Sequence, residues 1–147
     1  MANVLDEKPL AKVENHHNFP WKEQLDNSRV VITHHNGAMP TGTGILGIIP
    51  GSMTPPGFII RGRNGTGSLA SASHGAGRQM SRTRAKAELD GSQVRKYLAD
   101  HGIERIGGRL DEAPKAYKAI HAVMASQREL ANVLSSFTAK IMRMYGA

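Results

Sequence analysis

The chain has 147 residues, a formal net charge of +7 and 39% hydrophobic but only 5% aromatic residues. That length fits one domain, apolar enough for a core but lean in large rings. The absence of cysteine excludes a disulfide framework, a thiolate nucleophile and a Cys-type zinc site built from this chain. No apolar run approaches the roughly 18–20 residues that span a bilayer, and the charged start lacks a signal-peptide apolar region, so the expected location is the cytoplasm, with no membrane contact.

Residues 1–25 show little periodicity and hold a polar cluster, Glu14-Asn15-His16-His17-Asn18, ahead of Phe19-Pro20-Trp21. Arg29 to Thr33 is rich in β-branched residues and predicts a short strand. Gly37 to Gly44 is broken by Gly and Pro and predicts a loop. Ile45 to Ile49 predicts a buried strand stopped by Pro50-Gly51, and Phe58 to Arg61 a third strand. Asn64 to Gly67 predicts a turn, and Ser71 to Arg78 a loop of small residues. From Met80 the composition becomes helix-prone, and Ser92 has the character of an N-cap for Gln93 to His101. Asp111-Glu112-Ala113-Pro114 has the makings of a helix start, with Pro in the first turn and two acids at the positive end of the dipole. Tyr117, Ile120, Val123/Met124, Gln127, Leu130 and Val133/Leu134 keep a 3.6-residue spacing, which predicts the longest helix there. Ile141 to Met144 predicts a terminal strand. The whole is α+β: a mixed sheet of short strands followed by C-terminal helices.

The positive charge favours polyanionic partners. Between Arg78 and Arg109 there are eight Lys/Arg against four acids, a pattern equally compatible with a solvated helical face. The most informative stretch is Ser73-His74-Gly75-Ala76-Gly77-Arg78. Two glycines around an alanine let backbone N–H groups approach a phosphate unobstructed. A helix starting near Met80 would aim its positive end at the same anion. Arg78 has the fork for phosphate oxygens, and a neutral imidazole at His74 is a nucleophile or general base in reach of them. The same residues also suit a plain Gly-rich turn with an incidental histidine.

Ser73 to Arg82 closely resembles the signature of the RtcB-type RNA-splicing ligases, and the likeness extends along the chain in the same order. Asn15-His16-His17-Asn18-Phe19 resembles their metal-binding histidine segment, and Pro50-Gly51-Ser52-Met53 their nucleotide-contacting turn. Asp111-Glu112-Ala113-Pro114, Ala116-Tyr117-Lys118 and Val123-Met124 with Gln127 resemble their late helical segment. The resemblance implies a ligase that joins RNA ends, a 3′-phosphate or 2′,3′-cyclic phosphate to a 5′-hydroxyl, using GTP and Mn2+, with tRNA halves or broken RNA as substrate. It implies that His74 is the nucleophile that becomes guanylylated. It assigns His17 to the metal and to the nucleotide site, and Asn18, Pro50, Gly51, Ser52, Met53, Gly57, Gly75, Ala76, Gly77 and Arg78 to the nucleotide. An unprotonated His74 is required, so activity is expected to fall at acid pH.

Residues 1–147 would then form the C-terminal part of a single RtcB-like catalytic domain. The family's earlier half supplies a carboxylate, a cysteine and further histidines to paired metals, and this sequence has no counterpart to them. A separate N-terminal half is therefore an expected partner. His35 and Asn36 stand where the family has a basic pair, and Tyr145 where many members carry a nucleotide-reaching lysine. The alternative is a non-catalytic basic paralogue that binds RNA or nucleotide. A metal-dependent phosphoesterase using the same histidines ranks behind both.

Overall fold

A computed structural model of the chain describes residues 8, 11–14, 19–24, 29–63 and 67–143. His16, His17, Asn18 and Tyr145 lie outside the described residues, as does most of the turn expected at Asn64 to Gly67.

The architecture is α+β, built from nine short strands and three helices among the described residues. The strands form four small sheets. β1 (Phe19–Gln24) pairs antiparallel with β2 (Val30–His35), with Trp21 opposite Thr33. β3 (Ala38–Pro40) pairs with β6 (Ser71–Ser73). β4 (Leu46–Ile49), β5 (Gly57–Gly62) and β8 (Ala131–Phe137) make an antiparallel sheet with β5 in the middle. β7 (Glu104–Gly107) runs parallel to β9 (Ile141–Arg143).

Several of these strands were not legible as such, among them β1, β3, β6 and β7. β1 has Pro20 on an outer position and Glu23 on an inner one. A carboxylate does not signal a half-buried strand until its partner is known, and that partner is His35, whose Nε2 lies 3.2 Å from Glu23 Oε1. β3 lies within the segment read as loop, where Pro40 is tolerated because the pairing with β6 is only three residues long.

The helices are α1 (Arg82–Glu88), α2 (Gly91–Asp100) and α3 (Ile120–Ser126). Ser81 caps α1 by accepting from the Arg84 amide at 3.1 Å. The cap of α2 is Asp90 rather than Ser92: its Oδ1 accepts from the Ser92 amide at 2.6 Å and the Gln93 amide at 3.1 Å. A carboxylate ahead of a glycine outcompetes the serine hydroxyl, which itself donates to Asp90.

The long helix expected after Asp111 is not formed. Leu110–Glu112 and Pro114–Ala116 are single 3-10 turns, α3 has seven residues, and Ala131–Phe137 is a strand. The reasons are tertiary. Asp111, Glu112 and Tyr117 are drawn toward Arg78 and Arg82, and the Gln127 side chain is taken by the Ser73 amide at 3.0 Å. Asn132 to Phe137 then satisfy the open edge of β5, with a register shift at Ile59/Ile60.

Two cores result. Met39, Ile49, Phe58, Ile60, Ala76, Ile120, Met124 and Ala131 form one, with Tyr117 packed against it. Met53, Val94, Leu98, Ile103 and Ala113 form the other. Among the described residues no helix is long and apolar enough to cross a membrane.

Candidate nucleotide cavity

The turn after β4 is fixed at both ends by burial. Ile49 sits in the first core and Met53 in the second, so Pro50, Gly51 and Ser52 are stretched between them. A Cβ on Gly51 would lie 2.2 Å from the Pro55 carbonyl oxygen, so the backbone closes here only because that position is glycine.

The loop after β6 approaches the same place. Its strand is pinned by the Gln127 side chain, and the His74 amide donates to the Gly37 carbonyl at 3.3 Å. Ser73 Oγ donates to the Gly75 carbonyl at 2.7 Å, and Ala76 drops into the first core. Gly77 takes a left-handed φ of 69° and its carbonyl accepts from the Lys118 amide at 3.0 Å.

Together these segments wall a cavity of about 390 Å3, lined by Gly37, Pro50, Gly51, Ser52, Ser73 to Arg78 and Tyr117. Pro50–Ser52 and His74–Arg78, more than twenty residues apart, thus face one space. Ser52 is 6% exposed and its hydroxyl has no hydrogen-bond partner among the described residues. Such a group calls for a ligand, a water or an explanation. A larger cavity of about 630 Å3 shares Tyr117 and is lined by Thr54, Glu88, Tyr97 and Lys115, but no histidine borders it. Volume alone does not make it the better candidate, because it lacks both the glycine loop and a histidine.

Two expected contributors stand off the wall. The Met53 side chain is 1% exposed and packs with Val94 and Leu98 instead. Gly57 lies beneath Phe137, whose ring would come within 2.5 Å of a Cβ there. Packing explains the first, because a thioether gains more when fully enclosed in the second core than on an open cavity wall.

Arg78 is on the wall, but its guanidinium is largely committed to protein. Nε donates to the Met80 carbonyl at 3.2 Å, Nη1 to the Tyr117 hydroxyl at 3.1 Å and Nη2 to the Asp111 carbonyl. Glu112 Oε1 is 3.6 Å from Nη1. A guanidinium has five N–H donors, so at most two remain for an anion. Behind it, Arg82 Nη1 reaches both Asp111 Oδ2 at 2.8 Å and Glu112 Oε1 at 2.7 Å, and the Tyr117 hydroxyl donates to Glu112 Oε2. Burial, then the hydrogen bond to Glu112 and that carboxylate's charge, push the Tyr117 hydroxyl up to about 12. Burial would raise Asp111, but the Arg82 hydrogen bond, a backbone bond and the Lys86 and Arg82 charges hold it below the usual carboxylate range.

Gly37, Ser73, Tyr117 and Gln127 were not singled out as site residues, yet three line the cavity and Gln127 holds its strand. The signal for Tyr117 and Gln127 was their place in the late motif. His35 is buried at 1% exposure between Glu23 and Ser71 Oγ, 3.0 Å from Nδ1, and joins β1, β2 and β6 instead of meeting solvent anions.

An α+β chain with a glycine loop and a histidine on one cavity defines a candidate phosphate-handling protein, and comparison with known proteins narrows it. The model of the family described as tRNA-splicing ligase RtcB matches residues 2–143. The RNA-splicing ligase RtcB of Escherichia coli K12 is 40% identical over 125 residues, covering 85% of this chain and 30% of that protein. The Mycobacterium tuberculosis RNA-splicing ligase RtcB is 32% identical, covering 82% of this chain and 30% of its own length. The tRNA-splicing ligase RtcB of Thermococcus kodakarensis is 30% identical, covering 86% and 29%. The chain belongs to the RtcB family, and it spans about 30% of the length of these curated relatives.

Among the described residues no group of three His, Cys, Asp or Glu is placed to hold a metal ion. The described donors therefore do not by themselves fit manganese, and the expected ligand His17 lies outside them.

Proposed function

We propose that this chain is the nucleotide-handling, C-terminal part of an RtcB-type catalytic domain, acting in the cytoplasm in GTP-dependent joining of 3′-phosphate or 2′,3′-cyclic phosphate RNA ends to 5′-hydroxyl ends. The observation that carries the reading is the shared cavity of Pro50–Ser52 and Ser73–Arg78. A ring nitrogen of His74 attacks the α-phosphorus of GTP. A P–N bond forms, the bond to pyrophosphate breaks, and the ring gives up its proton. This reading assigns the charge that accumulates on the phosphoryl oxygens to the backbone N–H groups of Gly75, Ala76 and Gly77, with the Ser52 hydroxyl as one further donor. The RNA 3′-phosphate then takes GMP from His74, and attack by the 5′-hydroxyl expels GMP as the phosphodiester forms. His17 and Asn18 are assigned to the same nucleotide by the family pattern.

The test is incubation with labelled GTP and manganese, with and without a polypeptide carrying the N-terminal region of a relative. An acid-labile, alkali-stable adduct that disappears in His74→Ala supports the reading. Absence of an adduct even in the complemented protein refutes it.

One observation favours a second reading, a basic RNA- or nucleotide-binding paralogue without chemistry: the Arg78 guanidinium is held by Met80, Tyr117 and Asp111. That reading requires salt-sensitive RNA binding that is indifferent to His74→Ala.

A further inference from the structure

The β4–β5–β8 sheet packs one face on the first core, and its other face carries an apolar patch beside Arg61, Asn132 and Ser135. Cross-strand partners in an antiparallel pair share a face. Ile49 opposite Phe58, and Ile60, face the first core and are at most 6% exposed. Ile48 opposite Ile59, and Ile59 opposite Ser135, face the other way. Phe137, opposite Gly57, lies on that outer face too, because Gly57 is two residues from Ile59. There Ile48 is 42% exposed and Phe137 45% exposed, with Ile45 at 41% just before the strand. Unbroken runs such as Ile48-Ile49 and Phe58-Ile59-Ile60 belong to strands buried on both sides, because a strand with one wet face alternates. An exposed patch of Ile48, Ile59 and Phe137 on a sheet is buried by a further layer.

The length comparison names a candidate for that layer. The chain accounts for about 30% of these relatives, so they carry a further region available to pack on this portion. We propose that the outer face of the β4–β5–β8 sheet, carrying Ile48, Ile59 and Phe137, is the docking surface for the polypeptide region of the RtcB family that this sequence does not include. The proposal rests on family membership and not on the guanylyl chemistry, so the two can fail separately.

The experiment co-expresses the full chain with the region of the Escherichia coli relative that lies outside the match. Because the chain has no cysteine, a Ser135→Cys variant gives it a single thiol on the outer face, and Lys96→Cys on α2 serves as the reference. Maleimide labelling is read by mass spectrometry, and complex formation by size-exclusion chromatography with light scattering. The expected result is a stoichiometric complex in which the thiol at 135 is protected while that at 96 labels as in the chain alone. Ile48→Asp with Phe137→Asp should weaken the complex by about tenfold or more, as loss of a central apolar anchor does, while circular dichroism of the chain is kept. Failure to form a complex, a complex in which the thiol at 135 labels at the free-chain rate, or protection already present in a homodimer of the chain would each overturn the proposal.

Discussion

The Arg78 guanidinium both donates to the Tyr117 hydroxyl at 3.1 Å and lies over its ring, with Cζ 5.0 Å from the centroid. The two residues are also joined by an antiparallel backbone bridge, so the glycine loop and the late motif are clamped to each other. The clamp sets the exit of the cavity, since the loop cannot swing away from Tyr117 without breaking an ion pair, a hydrogen bond and a ring contact together.

The clamp has an alkaline signature. The folded-state value of Tyr117 is raised above its ordinary 10.0 to about 12, so the folded chain holds that proton more tightly than the unfolded one. Its contribution to stability is therefore full below pH 10 and is lost as the pH rises toward 12. Urea unfolding across this window should show a fall in stability that Tyr117→Phe lacks.

Asp111 gives the opposite limb. Its value is lowered in the folded chain, so its contribution is present above the ordinary Asp value of 3.8 and is lost as pH falls below it. The stability gap between the native chain and Asp111→Asn should be largest at neutral pH and shrink in acid. Denaturant midpoints measured at several pH values check this, and a gap that widens in acid would contradict it.

Gln127 is 5% exposed, and its Oε1 accepts from the Ser73 amide. Gln127→Leu keeps the volume but orphans that amide, which costs about 1–3 kcal/mol. Because β6 leads directly into His74, labelling by GTP should fall further than stability alone accounts for. The comparison is of adduct yield against the folded fraction at the same temperature.

The turn between the two cores separates packing from contact. Met53→Ala should destabilise by about 2–5 kcal/mol through the cavity left beside Val94 and Leu98. Met53→Leu should cost less than about 1.5 kcal/mol and leave nucleotide affinity unchanged. Ser52→Ala should do the reverse, weakening GTP binding while barely lowering the melting temperature, because its hydroxyl has no hydrogen-bond partner among the described residues to lose. Calorimetric titration alongside thermal unfolding distinguishes these cases.

Much of the site was legible in the residues themselves. Gly75-Ala76-Gly77 after a histidine allows close backbone approach whatever the fold, and Pro50-Gly51 ends an apolar run in any context. The strands β2, β4 and β5 followed from local β-branched content, and α1 from the helix-prone composition after Met80. These are short-range preferences, and short-range physics is sufficient to set them.

Non-local pairing decided the rest. The 3.6-residue spacing from Tyr117 to Leu134 is compatible with a helix, but hydrogen bonds from β5 make Ala131–Phe137 a strand. Arg78 carries a phosphate-binding fork in any sequence, and only the fold turns that fork toward Met80, Tyr117 and Asp111. Met53 adjoins the cavity turn in sequence, yet the second core claims its side chain. Residue type and spacing thus determined which groups could handle a phosphate. Their assignment to wall, clamp or core was left to the tertiary structure, because burial and partner choice depend on residues dozens of positions away.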